Sequence, residues 1–131
     1  MFPARRHRLN SLKIRALALL LSAVALPCFA EPTKEQLVGH WRYIGDNQNV
    51  DYTFKADGTF SGKITEEGNV VLAITGNWSL DGNKLTYEIR TSTPEVITPG
   101  TIDRDKITEL TRDYYIIETA FYARRQYSRV D

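Results

Sequence analysis

Val50-Asp51-Tyr52-Thr53-Phe54-Lys55-Ala56-Asp57-Gly58-Thr59-Phe60-Ser61-Gly62-Lys63-Ile64-Thr65 is the stretch that decides the fold. Residues 50–54 alternate apolar and polar, the period-two mark of a strand with one buried face. Asp57-Gly58 supplies the chemistry of a tight hairpin turn. Thr59 to Thr65 then reads as the return strand, with Phe60, Gly62 and Ile64 on one face. Two strands and a tight turn make a hairpin, and the sequence around it repeats the pattern.

Upstream, Trp41 to Ile44 reads as a first strand. It follows one short helical turn over Thr33 to Val38, where Thr33 and Gln36 have capping-box spacing and Gly39 can end the turn. Downstream, Glu66 to Asn69 turns the chain into its longest strand, Val70 to Leu80, with Val70, Leu72, Ile74, Trp78 and Leu80 on one face. Gly76 shares that face and marks a bend or bulge. Asp81-Gly82 repeats the turn, and Leu85, Tyr87 and Ile89 define the next strand. Thr93 to Gly100, with two prolines, is the longest loop; the segment Thr93 to Arg104 is expected to project. Lys106 to Thr111, Tyr114 to Thr119 and Tyr122 to Val130 complete the set.

About eight short strands with short connections imply an antiparallel up-and-down meander. Such a meander can close into a small all-β barrel and so remove its free edges. At eight strands the interior is just wide enough to be filled by side chains or to hold one small ligand.

The first thirty residues have a different character. Arg5, Arg6, Arg8, Lys13 and Arg15 precede the apolar run Ala16–Leu26, and Pro27-Cys28-Phe29-Ala30 leads into polar Glu31-Pro32-Thr33. This is the pattern of a secretory signal peptide, with cleavage expected after Ala30 and a periplasmic destination. The apolar core is shorter than the roughly 20 residues a membrane-spanning helix needs, so no stable span is expected after cleavage. Pro27 stands where a lipobox wants a small residue, and the residues around Arg5-Arg6 do not follow a twin-arginine motif.

Export changes the charge. Five of the 17 basic residues and none of the 16 acidic ones lie in residues 1–30, so residues 31–131 carry 12 basic and 16 acidic side chains, a net of −4. A mildly acidic domain lacks the clustered Lys and Arg that phosphate contacts need, so nucleic acid is not an expected partner. Cys28 is the single cysteine. Residues 31–131 therefore form one domain without a disulfide, a thiolate nucleophile or a cysteine metal ligand.

Two further segments carry a resemblance. Leu37-Val38-Gly39-His40-Trp41 opens the first strand with Gly-x-Trp, and Gly76-Asn77-Trp78-Ser79-Leu80-Asp81-Gly82-Asn83-Lys84-Leu85 follows the opening hairpin. Together with that hairpin they resemble the bacterial lipocalin-like domains over residues 37–90. The resemblance implies a barrel whose signature residues are Gly39 and Trp41. Trp41 would plug the closed end, and a basic residue of the last strand would stack across it, with Arg129, Arg125 and Arg124 as candidates. It says little about function, since a fold does not fix an activity.

The sequence offers few groups for catalysis. His40 is the one histidine after residue 30, and a general base needs an orienting partner and a nucleophile in reach. One histidine cannot make a metal site, and no cofactor motif is present. Glu66-Glu67, Asp103, Asp105 and Asp113 fall where solvated turns want polar residues. Arg124-Arg125 with Arg129 reads as charge protection of a terminal strand or as a contact for an acidic partner.

The tyrosines Tyr43, Tyr52, Tyr87, Tyr114, Tyr115, Tyr122 and Tyr127 all fall on expected strands. They suit a filled core, the outer face of a sheet or a pocket wall that is apolar on its face and polar at its tip. The pocket candidates are Tyr43, Tyr52, Phe54, Leu72, Ile74, Trp78 and Tyr87. The expected function is non-catalytic binding of a small apolar or amphipathic ligand in the barrel. The alternative is a protein-interaction module acting through exposed loops.

Overall fold

The structure, a computed structural model, describes residues 30–131. The signal-peptide reading, Cys28 included, rests on residues outside them. One helical turn, α1 (Lys34–Leu37), precedes eight strands: β1 (Gly39–Ile44), β2 (Gln48–Phe54), β3 (Thr59–Glu66), β4 (Asn69–Asp81), β5 (Lys84–Thr93), β6 (Thr101–Leu110), β7 (Tyr114–Glu118) and β8 (Arg124–Arg129). Neighbours in sequence pair antiparallel. β8 returns to β1 through Trp41↔Arg129 and Arg42↔Ser128, which closes the barrel. The all-β, eight-stranded meander expected from the turns is the fold found.

The turns form for local reasons. At Asp57-Gly58, the Thr59 backbone N–H and hydroxyl both donate to Asp57 Oδ1, at 2.9 and 2.6 Å, while Gly58 takes φ +89°, where glycine is at no disadvantage. At α1, the Gln36 side chain accepts the Thr33 N–H at 2.8 Å, satisfying a donor that the helix start leaves open.

Gly76 lies inside β4, at a β-bulge where the pairing of Thr75 with Thr91 steps to that of Gly76 with Ile89. A side chain there would overlap the Glu88 carbonyl. The bulge also reverses the alternation of β5. Leu85, Tyr87 and Ile89 point inward, and beyond Arg90 and Thr91 it is Ser92 that is buried.

Four expectations are corrected. The helix ends at Val38, whose N–H bonds the Lys34 carbonyl at 3.2 Å; Gly39 already belongs to β1. Val70 is exposed, because a second bulge between Ile64 and Thr65 turns the start of β4 over. β6 begins at Thr101, so Thr101–Arg104 pairs with β5 through Ile89↔Thr101 and Thr86↔Arg104 and does not project. The loop shrinks to residues 94–100, drawn back by Val96 and Ile97 N–H groups that donate to the buried Ser92 hydroxyl at 3.2 Å each. Tyr122 is in the turn before β8, exposed and at φ +61°.

The core fills the half of the barrel nearer α1. Trp41, Phe54, Phe60, Trp78, Tyr87, Tyr115 and Tyr127 are buried there with Leu37, Leu85 and Ile107. Their rings interlock: Tyr115 stacks on Tyr127 at 5.0 Å, Trp41 meets Tyr115 edge-on at 4.9 Å, and Phe54 tilts against Trp78 at 5.0 Å. Each aromatic pair adds about 0.5–1.5 kcal/mol beyond its area burial. These contacts hold the domain without a disulfide.

Candidate functional site

The two ends of the barrel differ. At the end that carries α1 and the turns around Asp57, Gly82 and Arg112, both indoles are tied to backbone. Trp41 Nε1 donates to the Leu37 carbonyl at 2.8 Å, and Trp78 Nε1 to that of Lys55 at 2.9 Å. The Arg129 guanidinium lies 4.1 Å from the Trp41 ring centroid. It donates to the carbonyls of Arg112 (2.8 Å), Val38 (3.1 Å) and Gln36 (3.0 Å). Gly39, at φ +140°, leaves the space that this guanidinium occupies. The Gly-x-Trp motif thus has a physical reading here: glycine admits the arginine that seals the tryptophan in. Arg129→Lys is expected to lower stability by about 1–2 kcal/mol, since an ammonium cannot span three carbonyls from one plane; urea denaturation measures it.

Above this stopper sits an aromatic floor. Of the seven pocket candidates, Phe54, Trp78 and Tyr87 lie in it, and Tyr52 covers it, stacked on Tyr87 at 5.3 Å and Phe54 at 5.7 Å. Ile74 is buried higher up, and Tyr43 and Leu72 are half-buried against the same core.

Polar groups converge on this floor from above. In the β5–β6 register Asp105 faces Leu85 and Asp103 faces Tyr87. Partners across a ladder share a face of the sheet, and Leu85 and Tyr87 are buried, so both side chains lie on the inward face, Asp105 half-buried and Asp103 exposed toward the mouth. The Tyr87 and Tyr115 hydroxyls are buried and close no hydrogen bond. That of Tyr87 nevertheless lies near enough to Asp105 to favour its anion. Arg125 enters from β8, with its guanidinium 5.1 Å from the Tyr43 ring centroid and beside the Tyr127 hydroxyl.

The electrostatics follow from burial. Desolvation first, and the neighbouring Asp103 second, push the Asp105 carboxyl up to about 6, against the pull of Tyr87 and Arg125. Desolvation also pushes the Tyr127 phenol up to about 12 and raises those of Tyr52, Tyr87 and Tyr115, so the tyrosines remain neutral donors. Because the folded value of Asp105 exceeds its unfolded value, the folded state binds the proton better. Its ionisation therefore opposes folding above about pH 6, and the penalty fades as pH falls toward 3.8. Asp105→Asn is expected to raise the unfolding free energy by about 1 kcal/mol near pH 8, a value reduced for its partial exposure, and to change little near pH 4. Thermal melts of both proteins at the two pH values measure this.

Sequence reasoning assigned Asp103 and Asp105 to a solvated connection. The available signal was β-branched Thr101-Ile102 ahead of them, but the inward positions that follow are the polar Asp103 and Asp105. Ile102, its apolar member, faces out and is half exposed. His40 lies on the outer face, where its Nε2 is 2.9 Å from Asp51 Oδ1, the atom that also accepts from Arg42 Nε at 2.8 Å. Among the described residues no group of three or more His, Cys, Asp or Glu could hold a metal ion, and no helix is long and apolar enough to cross a membrane.

A closed antiparallel barrel, stoppered by a Trp–Arg pair at one end and lined with polar groups toward the other, defines the class of small β-barrels related to lipocalins. The chain belongs to the lipocalin-like domain family, whose model matches residues 32–116. Two solved structures share the fold. One is a lipocalin-like protein from Bacteroides uniformis ATCC 8492, 18% identical, with TM-score 0.54 over 72% of this chain and 99% of that one. The other is a protein from the same organism solved by NMR, 20% identical, with TM-score 0.55 over 78% and 96%. No curated protein matches the chain.

Proposed function

We propose that this is an exported, non-catalytic binding protein that holds a small amphipathic molecule in the half of the barrel above the aromatic floor. The observation that carries the reading is the buried, unpaired Tyr87 hydroxyl beside the inward carboxylate of Asp105. Unpaired polar groups in a barrel interior each cost about 1–3 kcal/mol, and a ligand with matching groups would recover that. Leu72, Ile74 and Tyr43 offer apolar wall to the rest of the molecule. Lipocalin-like barrels commonly bind small hydrophobic ligands. Export to the periplasm rests on the basic, apolar and small-residue pattern of residues 1–30. The non-catalytic assignment rests on His40, which faces outward and is engaged by Asp51.

Native mass spectrometry of the protein purified from the cell envelope tests the reading. A stoichiometric extra mass that vanishes on denaturation is the expected result. A bare mass, with no thermal shift across a panel of lipids and small amphiphiles, overturns it. That outcome favours a second reading, a protein-interaction module. Its support is the turn before β8, where Phe121 is 92% and Tyr122 84% exposed; aromatic side chains are enriched at protein–protein interfaces.

A further inference from the structure

The interior polar groups have a sign. Asp103 and Asp105 turn into the barrel from β6, and Arg125 enters from β8. Arg125 does not pair with either acid. Among the described residues the ion pairs are His40–Asp51, Arg42–Asp51 and Arg90–Glu88. The Arg125 guanidinium instead lies over the Tyr43 ring and beside the Tyr127 hydroxyl. Asp103 is exposed, toward the mouth, and its carboxylate accepts the Arg104 N–H at 2.9 Å; with both carboxylates ionised, mouth and interior together hold one negative charge more than Arg125 offsets. The Tyr87 hydroxyl, on a side chain only 2% exposed, has no hydrogen-bond partner, and Asp105 and Tyr115 are its polar neighbours.

We propose that Asp105, with Asp103 above it, receives the protonated amine of a small amphipathic ligand whose apolar part lies along Leu72, Ile74 and Ile89. This deepens the binding reading above and rests on it. A single ammonium would neutralise the excess charge and offer three donors to the two carboxylates. The charge-assisted bonds it forms are stronger than neutral ones. A divalent cation fits poorly, since two carboxylates give too few ligands for one. An anionic ligand would face two carboxylates against the single guanidinium of Arg125.

The groups facing Asp105 set its pH response. They are Asp103 on its own strand, Tyr87 on β5, Tyr52 on β2, Tyr115 on β7, and Arg125 and Tyr127 on β8. The tyrosines stay neutral and Arg125 stays charged, so Asp105 is the group that titrates near neutrality. Its carboxyl, held up to about 6 by burial, is ionised near pH 8 and protonated near pH 5. An alkylamine keeps its charge throughout.

Isothermal titration calorimetry of the whole protein with octylamine, 1-octanol and octanoate tests the proposal. Near pH 8 octylamine is expected to bind at least about tenfold more tightly than 1-octanol, and octanoate more weakly than either. Near pH 5, with Asp105 neutral, the amine preference is expected to shrink severalfold, Asp103 still facing the amine. In Asp105→Asn the preference near pH 8 is expected to shrink to a similar extent while 1-octanol still binds. The pH comparison on the unsubstituted protein needs no variant, so it stands even if Asp105→Asn folds poorly. Equal binding of amine and alcohol, or a preference for octanoate, overturns the amine assignment and leaves a barrel that binds. No binding of any of the three overturns the amine assignment together with the amphiphile-binding reading.

Discussion

Trp41→Ala is expected to lower the unfolding free energy by about 3–5 kcal/mol, the range for removing a fully buried aromatic. Trp41 is wholly inaccessible to solvent, and four contacts end on it or beside it. Its ring meets Tyr115 edge-on, its indole N–H satisfies the Leu37 carbonyl, and Arg129 covers its face. Its strand also pairs with β8 at the point where the barrel closes. Removing the ring leaves a cavity, an unpaired carbonyl and a guanidinium with no surface to cover. A domain of about 100 residues has roughly 5–15 kcal/mol in total, so the variant is expected to melt more than about 12 °C lower. Trp41→Phe separates the contributions. It keeps most of the packing, loses the bond to Leu37, and is expected to cost about half as much. Urea denaturation of both variants measures the difference; near-equal losses would assign the role of Trp41 to the hydrogen bond alone.

Gly76→Ala is expected to cost about 3 kcal/mol or more, the upper range for a group forced into packed structure. The position is an inward one on β4 at the bulge against β5, where an added Cβ would overlap the Glu88 carbonyl. Backbone, unlike the tip of a side chain, cannot turn aside, so the two strands must part locally. Gly68→Ala is the control. It has φ +81° and nothing within contact distance of an added Cβ, so only the left-handed conformation is penalised, by about 1–2 kcal/mol. Amide hydrogen exchange adds a local readout. Accelerated exchange along β4 and β5 in Gly76→Ala, absent from Gly68→Ala, is the expected pattern. An unchanged melting temperature in Gly76→Ala would mean that the bulge relocates without loss.

These predictions begin from features of different legibility. Trp41 announces itself through the motif Gly39-x-Trp41, and Gly76 as a glycine on an otherwise apolar face. Arg129 was one of three arginines that the last strand offered. Only the closure of β8 onto β1 singles it out, because that pairing brings residues 36–38 and 112 to one place. Val70 followed the alternation of its strand on paper and violates it in the barrel, because a bulge between Ile64 and Thr65 adds a residue that periodicity does not count.

The clearest failure concerns the site itself. Hydrophobic alternation finds strands by assuming that the inner face is apolar. Over Thr101–Asp105 the inner face is polar and Ile102 points to solvent. The same residues that make the interior interesting therefore disguised the strand as a loop. The tyrosines show the complementary ambiguity. Tyr52 and Tyr87 pack as core while Tyr122 stands in solvent, and residue type does not separate them, since tyrosine suits either face of a sheet.

The sequence by itself determined the strand count, the tight Asp-Gly turns and the antiparallel meander. These follow from local chemistry: period-two alternation, Asp-Gly turns and glycine at strained positions. Only the tertiary structure decided which arginine seals Trp41, which tyrosines are floor, and that Asp103 and Asp105 share the interior with Arg125. Those relations depend on register and barrel closure, which join residues far apart in the chain, and a single-residue bulge in one strand changes what its neighbour faces.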